Sequence, residues 1–223
     1  MAYMIEDNNK EENNILIEAN KYLSEGNYEK AIKLYQQFID NSLKKQKIMD
    51  VGMGYHNLGI VYDAQRKSDL AIDCFIKALE YHKKIDNYRG MSWAYFSIGL
   101  IFGQLNKYEE MFEQNKKALT FGIKVNDNEI VIKSYNGIGH ALNQLKRYPD
   151  SLKYLEKALE LFDSDNSYLI SETYYLIGIC LENLGRKNEA IESYSLAIDY
   201  GAKSGNEQIV ALSFSKISEF QAH

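Results

Sequence analysis

Residues 54–80 read GYHNLGIVYDAQRKSDLAIDCFIKALE, and the rest of the chain is this stretch written again with variations. Tyr55, Leu58, Gly59 and Tyr62 fall at i, i+3, i+4 and i+7, one face of a helix. The polar run from Gln65 to Asp69 breaks the pattern, which restarts at Leu70, Ala71, Phe75 and Ala78. Two amphipathic helices joined by a short turn are expected, with Ser68 or Asp69 as N-cap of the second. Gly59 sits mid-helix, where it costs about 1 kcal/mol relative to Ala. That cost points to packing: a residue without a side chain lets another helix approach closely, and Ala71 and Ala78 are its small partners.

Gly59 recurs as Gly99, Gly139 and Gly178, at spacings of 40, 40 and 39. Forty residues before Gly59 stands Ala19, and forty after Gly178 stands Ser218. Nineteen residues after each of the four glycines comes an alanine: Ala78, Ala118, Ala158 and Ala197. Two registers at one offset define a repeat. They place a one-residue deletion between Ala158 and Gly178, in the connection around Asp163 to Asn166. The expected organisation is one array over 1–223. Helix pairs are expected at about 11–45, 50–85, 90–125, 130–163 and 168–203, with a lone capping helix at 206–221. The first pair carries Glu18 where Leu belongs, as suits a terminal repeat with one face in water. The third departs at Met111 and Asn115, where Ala and an aromatic are usual. The fourth has Pro149 at the start of its second helix, where a missing N–H is tolerated.

The order Tyr55, Leu58, Gly59, Tyr62, then Ala71, Phe75, Ala78, resembles the tetratricopeptide repeat at seven positions. The resemblance implies an all-α fold, a right-handed α-solenoid of antiparallel helix pairs whose first helices line a concave groove. The 40-residue period, six longer than the usual 34, is similar to that of bacterial peptide-pheromone receptors of the Rap and PlcR type. The extra residues are expected mostly between repeats, where segments such as Tyr81–Arg89 lengthen the second helix and its connection. Rap-type phosphatases add an amino-terminal helical bundle and PlcR-type regulators a helix-turn-helix. Neither is expected before Glu11, so a relative of these receptors would lack the effector module.

Composition narrows the function. The 223 residues carry a formal net charge of −5, one Pro and 45 % hydrophobic residues. No Lys/Arg cluster stands out, which argues against a dominant nucleic-acid or anionic-membrane role. No apolar run approaches the roughly 18 residues of a membrane span. The acidic, polar start is unlike a signal peptide. A cytoplasmic protein is expected, with Cys74 and Cys180 as buried thiols and a disulfide as the alternative.

By analogy with the family, the groove-facing residues are Met53, His56, Ile60 and Asp63 in the second repeat and Trp93, Phe96, Leu100 and Gly103 in the third. Lys133, Asn136, His140 and Asn143 follow in the fourth, and Glu172, Tyr175, Ile179 and Glu182 in the fifth. Trp93, Phe96 and Leu100 form a stripe beside the core stripe of Tyr95, Ile98 and Phe102, so this helix is apolar nearly all round. Either neighbouring repeats cover the stripe, or it anchors a peptide side chain. Lys133, Asn136 and Asn143 offer donors for a peptide backbone or carboxylate, or are ordinary solvated residues. The two-Lys, two-Asn clamp of chaperone-binding members is not evident. His56 and His140 lack nearby ligands for a metal, the glycines belong to the repeat rather than to a phosphate loop, and no catalytic constellation appears. Leu212, Phe214, Ile217 and Phe220 give the last helix more apolar surface than a cap needs: either this surface is a site of homodimerisation, or a partner or a further helix completes it.

The expected function is a non-enzymatic protein- or peptide-binding scaffold, with no cofactor. Two alternatives stand beside it: a peptide-gated bacterial regulator lacking an effector domain, and a regulatory subunit of an enzyme complex.

Overall fold

The computed structural model describes residues 2–161 and 167–221, with side chains over 12–161 and 167–220. Its elements are all helices: α1 (Ala2–Ser24), α2 (Tyr28–Lys44), α3 (Ile48–Ala64), α4 (Ser68–Lys83), α5 (Tyr88–Gln104), α6 (Tyr108–Lys124), α7 (Asn128–Gln144), α8 (Tyr148–Leu159), α9 (Ser167–Asn183), α10 (Lys187–Ser204) and α11 (Glu207–Gln221). This is the expected all-α repeat of helix pairs closed by a lone helix. The deletion expected at Asp163–Asn166 lies outside the described residues.

The long period arises in part as expected, by a lengthened second helix, and in part otherwise, since the connections stay short. Most helices run 17 residues, about 25 Å each, and most connections are only three residues long. The extra residues are therefore helical. Tyr81–Lys83 end α4, and Tyr88 and Arg89 open α5. A left-handed residue marks each described turn: Gly26, Gln46, Arg66, Asp86, Asn106, Asn126, Lys146, Gly185 and Gly205. They recur every 20 residues from Gly26 to Lys146, and again from Gly185 to Gly205. In each, two amides reach back to the closing helix. After α3, for example, Arg66 N–H donates to Asp63 O at 2.8 Å and Lys67 N–H to Tyr62 O at 2.9 Å. This Schellman arrangement satisfies carbonyls the helix end would otherwise strand. It also moves the cap: α4 begins at Ser68, Lys67 is its N-cap, and no side chain bonds there. Ser68 and Asp69 instead lie in the first turn, where Asp69 faces the positive end of the helix dipole.

The chain divides within α5 into two compact units, Met1–Ile101 and Phe102–His223. In the first, Tyr35 and Ile39 of α2, Val51, Leu58 and Val61 of α3 and Cys74 of α4 form the core. A Cβ at Gly59 would lie 2.7 Å from the Phe75 ring, so the helices meet there as closely as backbone allows. Leu70, expected in the buried stripe, is 45 % exposed. His82, fully within the fold, fills a slot between two helices: a Cβ at either Gly52 of α3 or Gly90 of α5 would strike its ring at 2.6 Å.

The second unit repeats this construction. Leu155 lies 2.4 Å from a Cβ built at Gly139, and Tyr194 lies 2.5 Å from one at Gly178. Tyr174 stacks on Tyr200 with centroids 5.6 Å apart, as Tyr55 does on Tyr81 at 5.7 Å in the first unit. Both cysteines are buried free thiols, as expected. No helix of the described residues is long and apolar enough to cross a membrane.

The glycine contacts give a test. Alanine would add about 1 kcal/mol of helix propensity, but the buried Tyr194 ring cannot retreat, because its hydroxyl donates to Glu182 at 2.6 Å. Overpacking costs about 1–3 kcal/mol. Gly178→Ala should therefore lower stability by about 1 kcal/mol in chemical denaturation, against the propensity scale.

Candidate functional site

In the first unit, α3 and α5 lie side by side, and His56 Nε2 and Ser97 Oγ are 3.2 Å apart. Trp93 and Phe96 are half-buried and meet edge-to-face at 6.2 Å. Around them, Met53, Ile60 and Leu100 are 36 %, 39 % and 42 % exposed. The stripe is thus partly covered by its own neighbours and partly open. His56 tilts over Phe75 at 5.1 Å. Asp63 is half-buried, and one of its carboxylate oxygens is shielded from water with no hydrogen-bond partner among the described residues.

Both histidines of this unit are held neutral. Burial drops His56 to about 4, aided by the nearby His82, while bonds to Trp93 and Asn57 act the other way. Burial also lowers His82, whose Nδ1 lies 3.1 Å from the Asn87 amide nitrogen. An unfolded chain takes up these protons near pH 6.5, and the native one resists until well below. Stability is therefore complete above that value and falls with acidification toward pH 4. Between pH 7 and pH 5 the first unit should lose on the order of 1–2 kcal/mol. The loss should shrink in His56→Gln and in His82→Gln, measured by urea melts across pH.

In the second unit, α7, α9 and α11 present the corresponding faces. Lys133 pairs with Glu129 at 2.7 Å. Burial raises the Glu172 carboxyl, and the Lys133 charge opposes that rise. His140 is half-buried beside the Tyr108 ring at 6.3 Å, and burial lowers its pKa. Tyr175 and Ile179 are half-buried and packed on the Leu155–Tyr194 cluster. Glu182 accepts from Tyr194 and pairs with Lys216 of α11 at 3.2 Å.

Asn136 and Asn143 differ from both sequence readings: they are neither solvated nor turned outward. Asn136 is 6 % exposed; its amide donates to Leu169 O at 3.2 Å, and its oxygen accepts from Thr173 Oγ1 at 2.8 Å. Asn143, two turns on, repeats this: it donates to Leu176 O at 3.1 Å and accepts from the Cys180 thiol at 2.8 Å. The pair rivets α7 to α9. Thr173 and Cys180, absent from the sequence-based set, share the seven-residue spacing of the two asparagines, the signal that could have found them. Removing Asn136 loses two buried hydrogen bonds, at about 0.5–1.5 kcal/mol each, while Thr173 Oγ1 keeps its bond to Leu169 O at 2.9 Å. Asn136→Ala should therefore cost about 2 kcal/mol of stability, read from its denaturation midpoint.

The apolar residues of α11 do not form one patch. Ile217 and Phe220 pack on the cluster of α9 and α10, with Phe220 6.5 Å from the Tyr194 ring. Leu212 (39 % exposed) and Phe214 (55 %) are two residues apart and face different sides of the helix. Among the described residues, no three His, Cys, Asp or Glu side chains gather as a metal site would need.

Helix pairs with close contacts from a glycine to a large side chain, set by a 40-residue register, define a helical-repeat protein of the all-α class. The family model for the tetratricopeptide repeat matches residues 50–121 and 131–200, and the chain belongs to that family. No curated protein matches it in sequence. Among solved structures, BtubC (BKLC) from P. vanneervenii is similar at 20 % identity and a TM-score of 0.75, over 86 % of this chain and 80 % of that one. Aspartyl phosphate phosphatase F from Bacillus subtilis is similar at 18 % identity and a TM-score of 0.77, over 89 % and 52 %. The Rap conjugation gene regulator of plasmid pLS20, solved with the Phr* peptide, is similar at 18 % identity and a TM-score of 0.71, over 96 % and 59 %. The chain thus spans little more than half the length of the latter two, and the likeness it bears to Rap-type receptors is one of fold.

Proposed function

We propose that the chain is a non-enzymatic scaffold that binds a protein segment or short peptide along its first-helix face. The observation that carries the reading is the apolar surface of α3 and α5. Met53, Ile60 and Leu100 stay exposed around the half-buried Trp93 and Phe96, on a face the repeat does not need for its own packing. Exposed apolar groups clustered beside polar ones suit an anchor side chain with a hydrogen-bonded backbone. Here His56 and Asp63 supply the polar partners. On the second unit, Lys133, His140, Tyr175 and Ile179 form the equivalent surface. Asn136 and Asn143 hold that surface in shape rather than contacting the ligand. We place the protein in the cytoplasm.

Trp93 is the only tryptophan, so its emission reports directly on this face. Peptides selected from a random library against the full chain should blue-shift that emission. Trp93→Phe should retain binding, while Trp93→Ala should weaken it at least tenfold with the helical circular dichroism intact. Selected peptides that leave the emission unchanged, or an unaltered affinity in Trp93→Ala, would refute the reading.

A peptide-gated regulator is the narrower form of this proposal. It is favoured by the fold likeness to the Rap regulator solved with its peptide, which spans 96 % of this chain. Gating requires that the ligand prefer one of two shapes. A saturating peptide should then reduce the radius of gyration in small-angle scattering, and an unchanged radius would count against gating.

A further inference from the structure

Leu70 breaks the repeat at the surface. The residue preceding the matching small or medium position of the second helix is Lys30, Glu110, Asp150 or Glu189 in the other pairs. Here it is a leucine, and it is 45 % exposed. It stands on the wall of a cleft of about 430 Å³ in the first unit. Residues of α2 (Gln36, Ile39, Asp40) and α4 (Leu70, Asp73, Cys74, Lys77) form the walls, and Tyr55, Leu58 and Tyr62 of α3 form the floor. The base is apolar, since Ile39, Leu58 and Cys74 are buried. The proposed peptide face, with Met53, His56 and Ile60, uses another side of α3.

The rim carries polar groups that the fold leaves unused. Among the described residues, Gln36, Asp40 and Asp73 have no hydrogen bond or ion pair, and neither has the Tyr55 or Tyr62 hydroxyl. The two carboxylates outnumber the one cation, Lys77, leaving the lining one negative charge in excess. Lys77 does not neutralise them: its ammonium lies over the Tyr55 ring, 5.4 Å from the centroid. Tyr81 stacks on Tyr55 as well. The cleft therefore already holds one cation against an aromatic ring, while Tyr62 and Leu70 remain for another.

We propose that this cleft binds a guanidinium on an aliphatic stem, the side chain of an arginine in a partner peptide. The stem lies along Leu70 and Tyr62, and the head reaches the carboxylates of Asp40 and Asp73. A guanidinium suits this lining better than an ammonium. It is planar, weakly hydrated, stacks on tyrosine faces and offers five donors to carboxylates and hydroxyls. The carboxylates are exposed, so the attraction is screened by salt. A single arginine then binds weakly, and a peptide with further contacts binds more tightly.

The test is a titration of the full, ¹⁵N-labelled chain with Nα-acetylargininamide, followed by backbone amide shifts. The expected result is saturable shifts at Asp40, Tyr62, Leu70 and Asp73, weakening as salt is raised. Nα-acetylnorleucinamide, which keeps the stem and lacks the cation, should shift them far less. Asp40→Asn combined with Asp73→Asn should raise the dissociation constant about tenfold, and Leu70→Ser should raise it severalfold, all with unchanged circular dichroism. Equal shifts from the two probes, shifts confined to the α3–α5 face, or no shifts at the cleft would overturn the proposal without need of any variant. Loss of peptide binding in Trp93→Ala, with the arginine shifts retained, would separate the two sites.

Discussion

The structure depends on one close approach: a helix backbone at glycine pressed against a large side chain of the helix that follows it. Phe75 over Gly59, Leu155 over Gly139 and Tyr194 over Gly178 all leave less than 3 Å for a Cβ. Each such glycine gives up helix propensity of about 1 kcal/mol and gains an interlocked side chain, a ring at Gly59 and Gly178 and a leucine at Gly139, whose burial is worth more. The first pair meets the same demand differently. Ala19 is fully buried in one cluster with Tyr35, so a methyl group is accommodated where the helices settled around it. The third pair, with Asn115 in place of the ring, packs that residue against Gly137 instead. Its amide turns back to Met111 O at 2.9 Å, and its oxygen is left without a partner among the described residues.

Most of the fold was legible because packing writes itself periodically. The glycine and alanine registers fixed the number of pairs, their spacing and the lone final helix. The turns were harder to read. Arg66 and Lys146 take the left-handed conformation that usually advertises itself as Gly or Asn. Nothing in their chemistry announces it, and only their place in the 20-residue cycle does. The caps misled for the same reason. Ser68 is a good capping residue, but the Schellman turn sets the helix start one residue earlier.

The candidate site was legible in part. The repeat register brought His56, Ile60, Trp93, Phe96 and Leu100 onto neighbouring first helices. It was blind to the difference between a polar residue facing solvent and one facing the next helix. Asn136 and Asn143 lie outside the seven positions of the repeat pattern, so sequence alone reads them as available donors. Burial and the matching Thr173 and Cys180 turn them into internal fastenings. Leu70 misleads in the opposite direction: its apolar side chain reads as core and stands at the surface. Residues that conform to the repeat are thus spent on packing, and its departures carry both the added fastenings and the candidate binding surfaces.

A double-mutant cycle at Gly59 and Phe75 tests the interlock most directly. If the glycine is there to admit the ring, Gly59→Ala destabilises the wild-type chain. In a Phe75→Ala background the same change becomes stabilising, with a coupling of about 1–3 kcal/mol. Additivity of the two substitutions within about 0.5 kcal/mol would contradict the account.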